Sequence, residues 1–119
     1  MANAFVHLEL NTPDLEKAKS FYKEMFQWSF QDMDMGPSGT YSVFKPDEGP
    51  GGGMMSMPQA PTHWLPYIGV DDIHAATKKA KSLGATTMME AEEVPNMGWF
   101  TILSDPTGAM VAIWQTKTK

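Results

Sequence analysis

His7 and Glu9 are the residues whose types and spacing best suit chemistry. They stand two positions apart in Phe5–Leu10, where apolar and polar residues alternate, so they share one face of an expected strand. An imidazole beside a carboxylate can exchange a proton, contribute to a cation site, or present negative charge to a cationic ligand. A lone histidine on a sheet face reads first as a hydrogen-bonded cavity residue. The other histidines do not extend the pair, since His63 falls in an expected linker and His74 on the polar side of an expected helix. There is no cysteine, which excludes disulfides, thiolate metal sites and cysteine nucleophiles. A catalytic divalent metal takes three or more nitrogen or oxygen ligands, and spacing supplies two at most. The expectation is therefore no metal and no cofactor.

Composition narrows the ligand. The 119 residues carry a formal net charge of −5, and all nine basic residues are lysines. Without arginine the chain lacks the planar fork that grips carboxylates and phosphates in pairs. Nucleic acid is excluded as a partner, strongly anionic substrates are disfavoured, and a neutral or cationic small molecule fits better. The acidic excess also serves solubility. Gly51-Gly52-Gly53 has the glycine content of a phosphate-binding loop but not its lysine or following helix, so it reads as a strand with close backbone approach or a bulge. Eleven methionines and four tryptophans supply adaptable apolar surface, most of it core and some of it cavity lining. Trp99 and Trp114 read as core or cavity wall, with stacking on a flat ligand as the sharper possibility. No run approaches the ~20 apolar residues of a membrane span, and no secretory signal is visible. A cytoplasmic location is the default expectation.

The elements that must position His7 and Glu9 come from an internal repeat at an offset of 58 residues. Leu15, Ala18, Tyr22 and Met25 recur as Ile73, Ala76, Ala80 and Leu83, Asp14 as Asp72, and Tyr41 as Trp99. The first module, 1–57, reads as a strand at Phe5–Leu10, a helix opened by Thr12 as N-cap and Pro13, and strands at 28–34, 40–45 and 51–57. A linker at 58–61 follows. The second module, 62–119, repeats the order with a strand at 65–70, a helix at 72–83 stopped by Gly84, and strands at 85–90, 97–104 and 109–115. The expected fold is α+β, two tandem βαβββ modules forming a half-open eight-stranded barrel with helices on the outer face. Leu8, Leu10, Ile68, Val111 and Ile113 are needed beneath the helix stripes. Strand alternation then turns His7, Glu9, Met54, Leu65, Tyr67, Ala112 and Trp114 toward a ligand cavity on the other face.

This order, with His7-Leu-Glu-Leu before the first helix, Ser20-Phe21-Tyr22 within it, and Asp105-Pro106-Thr107-Gly108-Ala109 before Ile113-Trp114-Gln115, resembles the vicinal oxygen chelate superfamily. That group includes glyoxalase I, extradiol dioxygenases, and fosfomycin and bleomycin resistance proteins. The resemblance implies paired βαβββ modules around a cavity, and a homodimer. Its metal-using members place ligands near the start of the first strand and on the last strand of each module. Those positions hold His7, Leu65, Met54 and Ala112 here, so the ligand set is incomplete. Three readings stay open. One is a binding protein of the bleomycin-resistance type for an apolar or cationic small molecule. Another is a metal-dependent lyase or dioxygenase using His7, with a metal-free acid–base enzyme on His7 and Glu9 as its variant. The third is a dimeric interaction module with no ligand.

Overall fold

The computed structural model describes residues 3–57 and 61–117. Residues 58–60 of the expected linker lie outside the described residues. The elements in chain order are β1 (Phe5–Thr12), α1 (Leu15–Phe26), β2 (Phe30–Asp34), β3 (Thr40–Phe44), β4 (Gly52–Ser56), β5 (His63–Gly69), α2 (Ile73–Ser82), β6 (Thr86–Val94), β7 (Gly98–Ser104) and β8 (Met110–Thr116). The architecture is α+β, with βαβββ occurring twice. No described helix is long and apolar enough to cross a membrane. Two compact units form, and their limits differ from those of the sequence modules. One spans 7–65; the other joins the residues up to Val6 to those from Pro66 onward. In the latter, Ala4 O accepts from Gly69 N–H at 2.8 Å and Asn3 Nδ2 donates to Gly69 O at 2.7 Å.

In the 7–65 unit the strand order is β2-β3-β4-β1, with β1 parallel to β4 and the other pairs antiparallel. A parallel pair needs a crossover, and α1 lies in it. The helix starts later than Thr12-Pro13 suggests. Asn11 and Thr12 stay in β1, and Asp14 is the N-cap, accepting from Lys17 N–H at 3.1 Å. Thr12 Oγ1 instead accepts from Asp14 N–H at 3.2 Å. Leu15, Ala18 and Tyr22 pack on a core of Leu10, Phe44 and Met54, joined by Trp28 and Phe30. Met25, the expected fourth member of the stripe, is 62% exposed. Trp28 lies flat on Phe44 with ring centroids 4.4 Å apart, so aromatic stacking closes the core beyond the helix end.

In the other unit the order is β5-β8-β7-β6, again with one parallel pair, β5 with β8. Asp72 Oδ1 caps α2 by accepting from His74 and Ala75 N–H. Gly84 follows the helix at φ +101°, a left-handed turn that glycine adopts without strain. Beneath α2 the contacts are partly polar. Thr77 and Thr101, both buried, share a 2.7 Å hydroxyl–hydroxyl hydrogen bond. Gln115 Oε1 accepts from Ile73 N–H at 2.7 Å. His63, assigned to a linker by sequence, belongs to β5.

Register corrects the repeat. In the first unit Ser42 and Phe44 pair with Met54 and Gly52, and Met54 pairs with Leu10, so all five lie on the α1 side. At an offset of 58, Ser42, Phe44 and Met54 correspond to Phe100, Ile102 and Ala112. In the second unit these three pair with Trp114, Ala112 and Tyr67, while Thr101 pairs with Ile113 and meets α2. Phe100, Ile102 and Ala112 therefore face away from the helix. The offset holds through the first strand and helix of each module and shifts by an odd number before the last two strands. A one-residue shift turns every side chain of a strand to its other face.

Candidate functional site

The site is built on the face of the 7–65 sheet opposite α1. Alternation along β1, unbroken through Leu8–Thr12 in its pairing with β4, puts His7, Glu9 and Asn11 on that face. Tyr41 and Val43 of β3 join them, because Tyr41 pairs with Met55 and Val43 with Gly53, the residues paired in turn with Asn11 and Glu9. Gly53 makes the approach possible. A Cβ there would lie 2.2 Å from Tyr41 Cζ, so the phenol ring occupies the space that any larger residue would fill.

Tyr41 binds the two groups named by sequence into one row. Its hydroxyl lies 2.6 Å from His7 Nε2 and donates to Glu9 Oε1 at 3.4 Å. The His7 and Tyr41 rings are near parallel, at 15°, with centroids 6.2 Å apart. Burial pushes the His7 pKa below its ordinary value, because a charged imidazole is poorly solvated there. At neutral pH the ring is uncharged. With the Nε2 proton on His7, the imidazole donates to Tyr41 and the phenol proton points to Glu9. The row can then pass or orient a proton between an imidazole and a carboxylate through one hydroxyl.

The other sequence-assigned positions lie on β4, β5 and β8. Met54 is fully buried under α1 with Leu10 and is no part of the His7 face. The residues of β4 on that face are Gly53 and Met55. Leu65 is 1% exposed, and β-strand alternation puts it on the same side of β5 as Tyr67. In the second unit Tyr67, Ala112 and Trp114 share the face away from α2. The Tyr67 ring sits 6.5 Å from Trp114 and 6.3 Å from Phe100. Trp99 lies on the opposite, α2-facing side, paired with Gln115, with the Lys117 ammonium 5.1 Å from its ring centroid. Sequence reasoning missed Tyr41, Asn11 and Gly53. Tyr41 alternates with Val43 in the expected third strand, a signal that becomes specific only when the register with β4 is known.

The metal positions implied by the resemblance do not fit a metal. They offer one imidazole, one thioether and two aliphatic side chains. The thioether of Met54 is beneath the helix, and the imidazole nitrogen Nε2 of His7 is engaged by a phenol. Among the described residues no group of three or more histidine, cysteine, aspartate or glutamate side chains is placed to hold a metal ion. No step here runs through one.

Comparison with known proteins is consistent with this architecture. "Putative glyoxylase CFP32" of Mycobacterium bovis is 34% identical over 107 residues, covering 88% of this chain and 41% of that protein. "Anthracycline biosynthesis protein DnrV" of Streptomyces peucetius is 26% identical over 126 residues, covering 90% of this chain and 45% of that protein. The chain thus spans less than half the length of the curated relatives it matches. Among solved structures, hypothetical protein BH1468 from Bacillus halodurans C-125 superposes with a TM-score of 0.75 at 15% identity, covering 100% of this chain and 98% of its own. Methylmalonyl-CoA epimerase from Mycobacterium tuberculosis does so with a TM-score of 0.72 at 13% identity, covering 96% and 88%. These structures share the fold. The Glyoxalase/Bleomycin resistance protein/Dioxygenase superfamily model matches residues 4–113, and with nearly the whole chain so matched, this protein belongs to that superfamily.

Proposed function

We propose that this chain binds a neutral or cationic small organic molecule on the His7–Tyr41–Glu9 face, without a resident metal or organic cofactor. One observation carries the reading: a hydrogen-bonded row of imidazole, phenol and carboxylate stands on the sheet face away from the helix, in an acidic chain with no arginine. Glu9 supplies the charge a cation seeks. His7 and Tyr41 orient a polar group, and Val43 and Met55 on the same face supply apolar contact. The glyoxylase and anthracycline-biosynthesis names of the relatives support small organic molecules as the ligand class. Methylmalonyl-CoA, named for the epimerase neighbours, is strongly anionic and suits this charge balance poorly. In the other unit Tyr67, Ala112 and Trp114 are proposed as an apolar ligand face of their own.

The test is calorimetric titration with matched aromatic amines, neutral aromatics and aromatic carboxylates. The amines should bind best, and Glu9→Gln should weaken them by about tenfold while sparing the neutral compounds, the loss of one charge-assisted contact. A preference for carboxylates, or affinities untouched by both Glu9→Gln and Tyr41→Phe, overturns the reading. One equivalent of tightly bound zinc, nickel or iron, lost in His7→Ala, overturns its metal-free part. A second reading rests on the 2.6 Å contact between a neutral imidazole and a phenol, which is the geometry of a metal-free acid–base pair. It predicts turnover whose pH profile shifts in Tyr41→Phe; the binding reading predicts none.

A further inference from the structure

The face that carries His7 and Glu9 continues to Asn11, the next residue of that parity on β1, about 7 Å beyond Glu9 by strand geometry. Asn11 is 5% exposed, and its Oδ1 is a buried side-chain oxygen with no hydrogen-bond partner. Buried polar atoms are nearly always satisfied, so an amide carbonyl left over on a ligand-binding face needs a cause. It is an acceptor, as is the Glu9 carboxylate beside it. Two acceptors in line, one charged and one neutral, suit a ligand bearing both positive charge and N–H donors. A quaternary ammonium offers the charge without the donors. Met55, the register partner of Asn11, shares its face and is half-buried.

We infer that Asn11 is a specificity-determining residue of this site, its carbonyl accepting an N–H from a primary or secondary ammonium ligand whose charge Glu9 meets. The inference rests on the binding reading above and adds the class of cation. It is tested with phenethylamine and its N,N,N-trimethyl derivative, titrated into the wild-type protein, Asn11→Leu and Glu9→Gln. Wild type should bind the primary amine about tenfold more tightly, the effect of one hydrogen bond from a charged donor. Asn11→Leu should bring the two ligands to near parity and leave the melting temperature unchanged or higher, because it removes an unsatisfied group. Should that variant fail to fold, side-chain amide NMR of the wild type serves instead. The Asn11 signal should shift with phenethylamine and not with the quaternary compound. Equal binding of both cations in wild type, abolished by Glu9→Gln, overturns this inference and leaves the binding reading intact. A preference that persists in Asn11→Leu, with a lowered melting temperature, marks Asn11 as structural and also overturns it. Failure of both cations to bind overturns the cationic reading and this inference together.

Discussion

The two units share an order of elements and differ on both faces of their sheets. Under α1 the first unit packs aromatics and methionine, with Phe44, Trp28, Tyr22 and Met54 in contact around Leu10. Under α2 the second relies on Ile73, Leu103 and the hydroxyl pair of Thr77 and Thr101. The faces away from the helices diverge further. On that face the first unit carries His7, Glu9, Asn11 and Tyr41; the second carries Tyr67, Phe100, Ala112 and Trp114. The repeat thus preserves what the scaffold needs, a capped helix over a mixed sheet, and leaves the other face free to change. The row of imidazole, phenol and carboxylate belongs to one half, whereas the order of elements belongs to both.

That contrast is broken most directly at Met54. As a fully buried core residue it should cost about 2–5 kcal/mol when replaced by alanine, measured by chemical denaturation. Met55→Ala, on the other face and half-buried, should cost clearly less and should change ligand affinity instead. If Met55→Ala is the more destabilising of the two, the face assignment of the first sheet is reversed. The corresponding test of the second unit is Thr101→Val. It leaves the buried Thr77 hydroxyl and the Ala91 N–H without their shared partner, at a cost of about 1–3 kcal/mol. Adding Thr77→Val should cost less than the two single changes summed, since both hydroxyls are then gone.

Much of the fold was legible from periodicity and punctuation. Asp14 and Asp72 fall at the repeat, Gly84 ends α2, and the apolar stripes of both helices set which strand residues lie below them. The site was legible only in part. His7 and Glu9 share a strand, so alternation alone joins them. Tyr41 reaches them across β4, and which face it takes depends on register, a long-range property that no local window holds. Met54 was misplaced for the same reason. Taking it as the counterpart of Ala112 assumed a constant offset, but Ser42 and Thr101, the fully buried hydroxyls of β3 and β7, stand 59 apart. A shift of one residue is invisible to composition and decisive in a strand.

Tyr41 tests whether the row of the first unit acts as one group. Tyr41→Phe keeps the ring over Gly53 and removes only the hydroxyl. It should cost about 1 kcal/mol of stability, the net value of an ordinary hydrogen bond. It should also alter the His7 titration followed by NMR. A His7 titration curve unchanged by the substitution would mean that the 2.6 Å contact does not couple the two residues.

The smallest effect expected is the dependence of stability on pH, and it separates His7 from the carboxylates by window. Burial lowers the folded-state pKa of His7 below the unfolded value of about 6.5. Above that value both states hold the imidazole neutral, and His7 adds no pH dependence. As pH falls below it, the unfolded chain takes up a proton that the folded chain resists. Protons bound are then greater in the unfolded state, so stability rises with pH and is lost on acidification until the folded pKa is passed. Asp32 in the first unit is held below the carboxylate range by hydrogen bonds from Ser42 and Lys19, and Asp105 in the second by hydrogen bonds from Thr107 and the Ala109 N–H. Their contributions are present above the usual value of 3.8 and fade only below it. Melting temperatures taken between pH 7 and pH 5 should therefore decline in wild type and decline less in His7→Gln, while both proteins should fall together at pH values below about 4. Equal slopes for the two proteins between pH 7 and 5 would show that the His7 imidazole is as well solvated in the fold as in the open chain, and that the polar face of the first unit is no more enclosed than an ordinary surface.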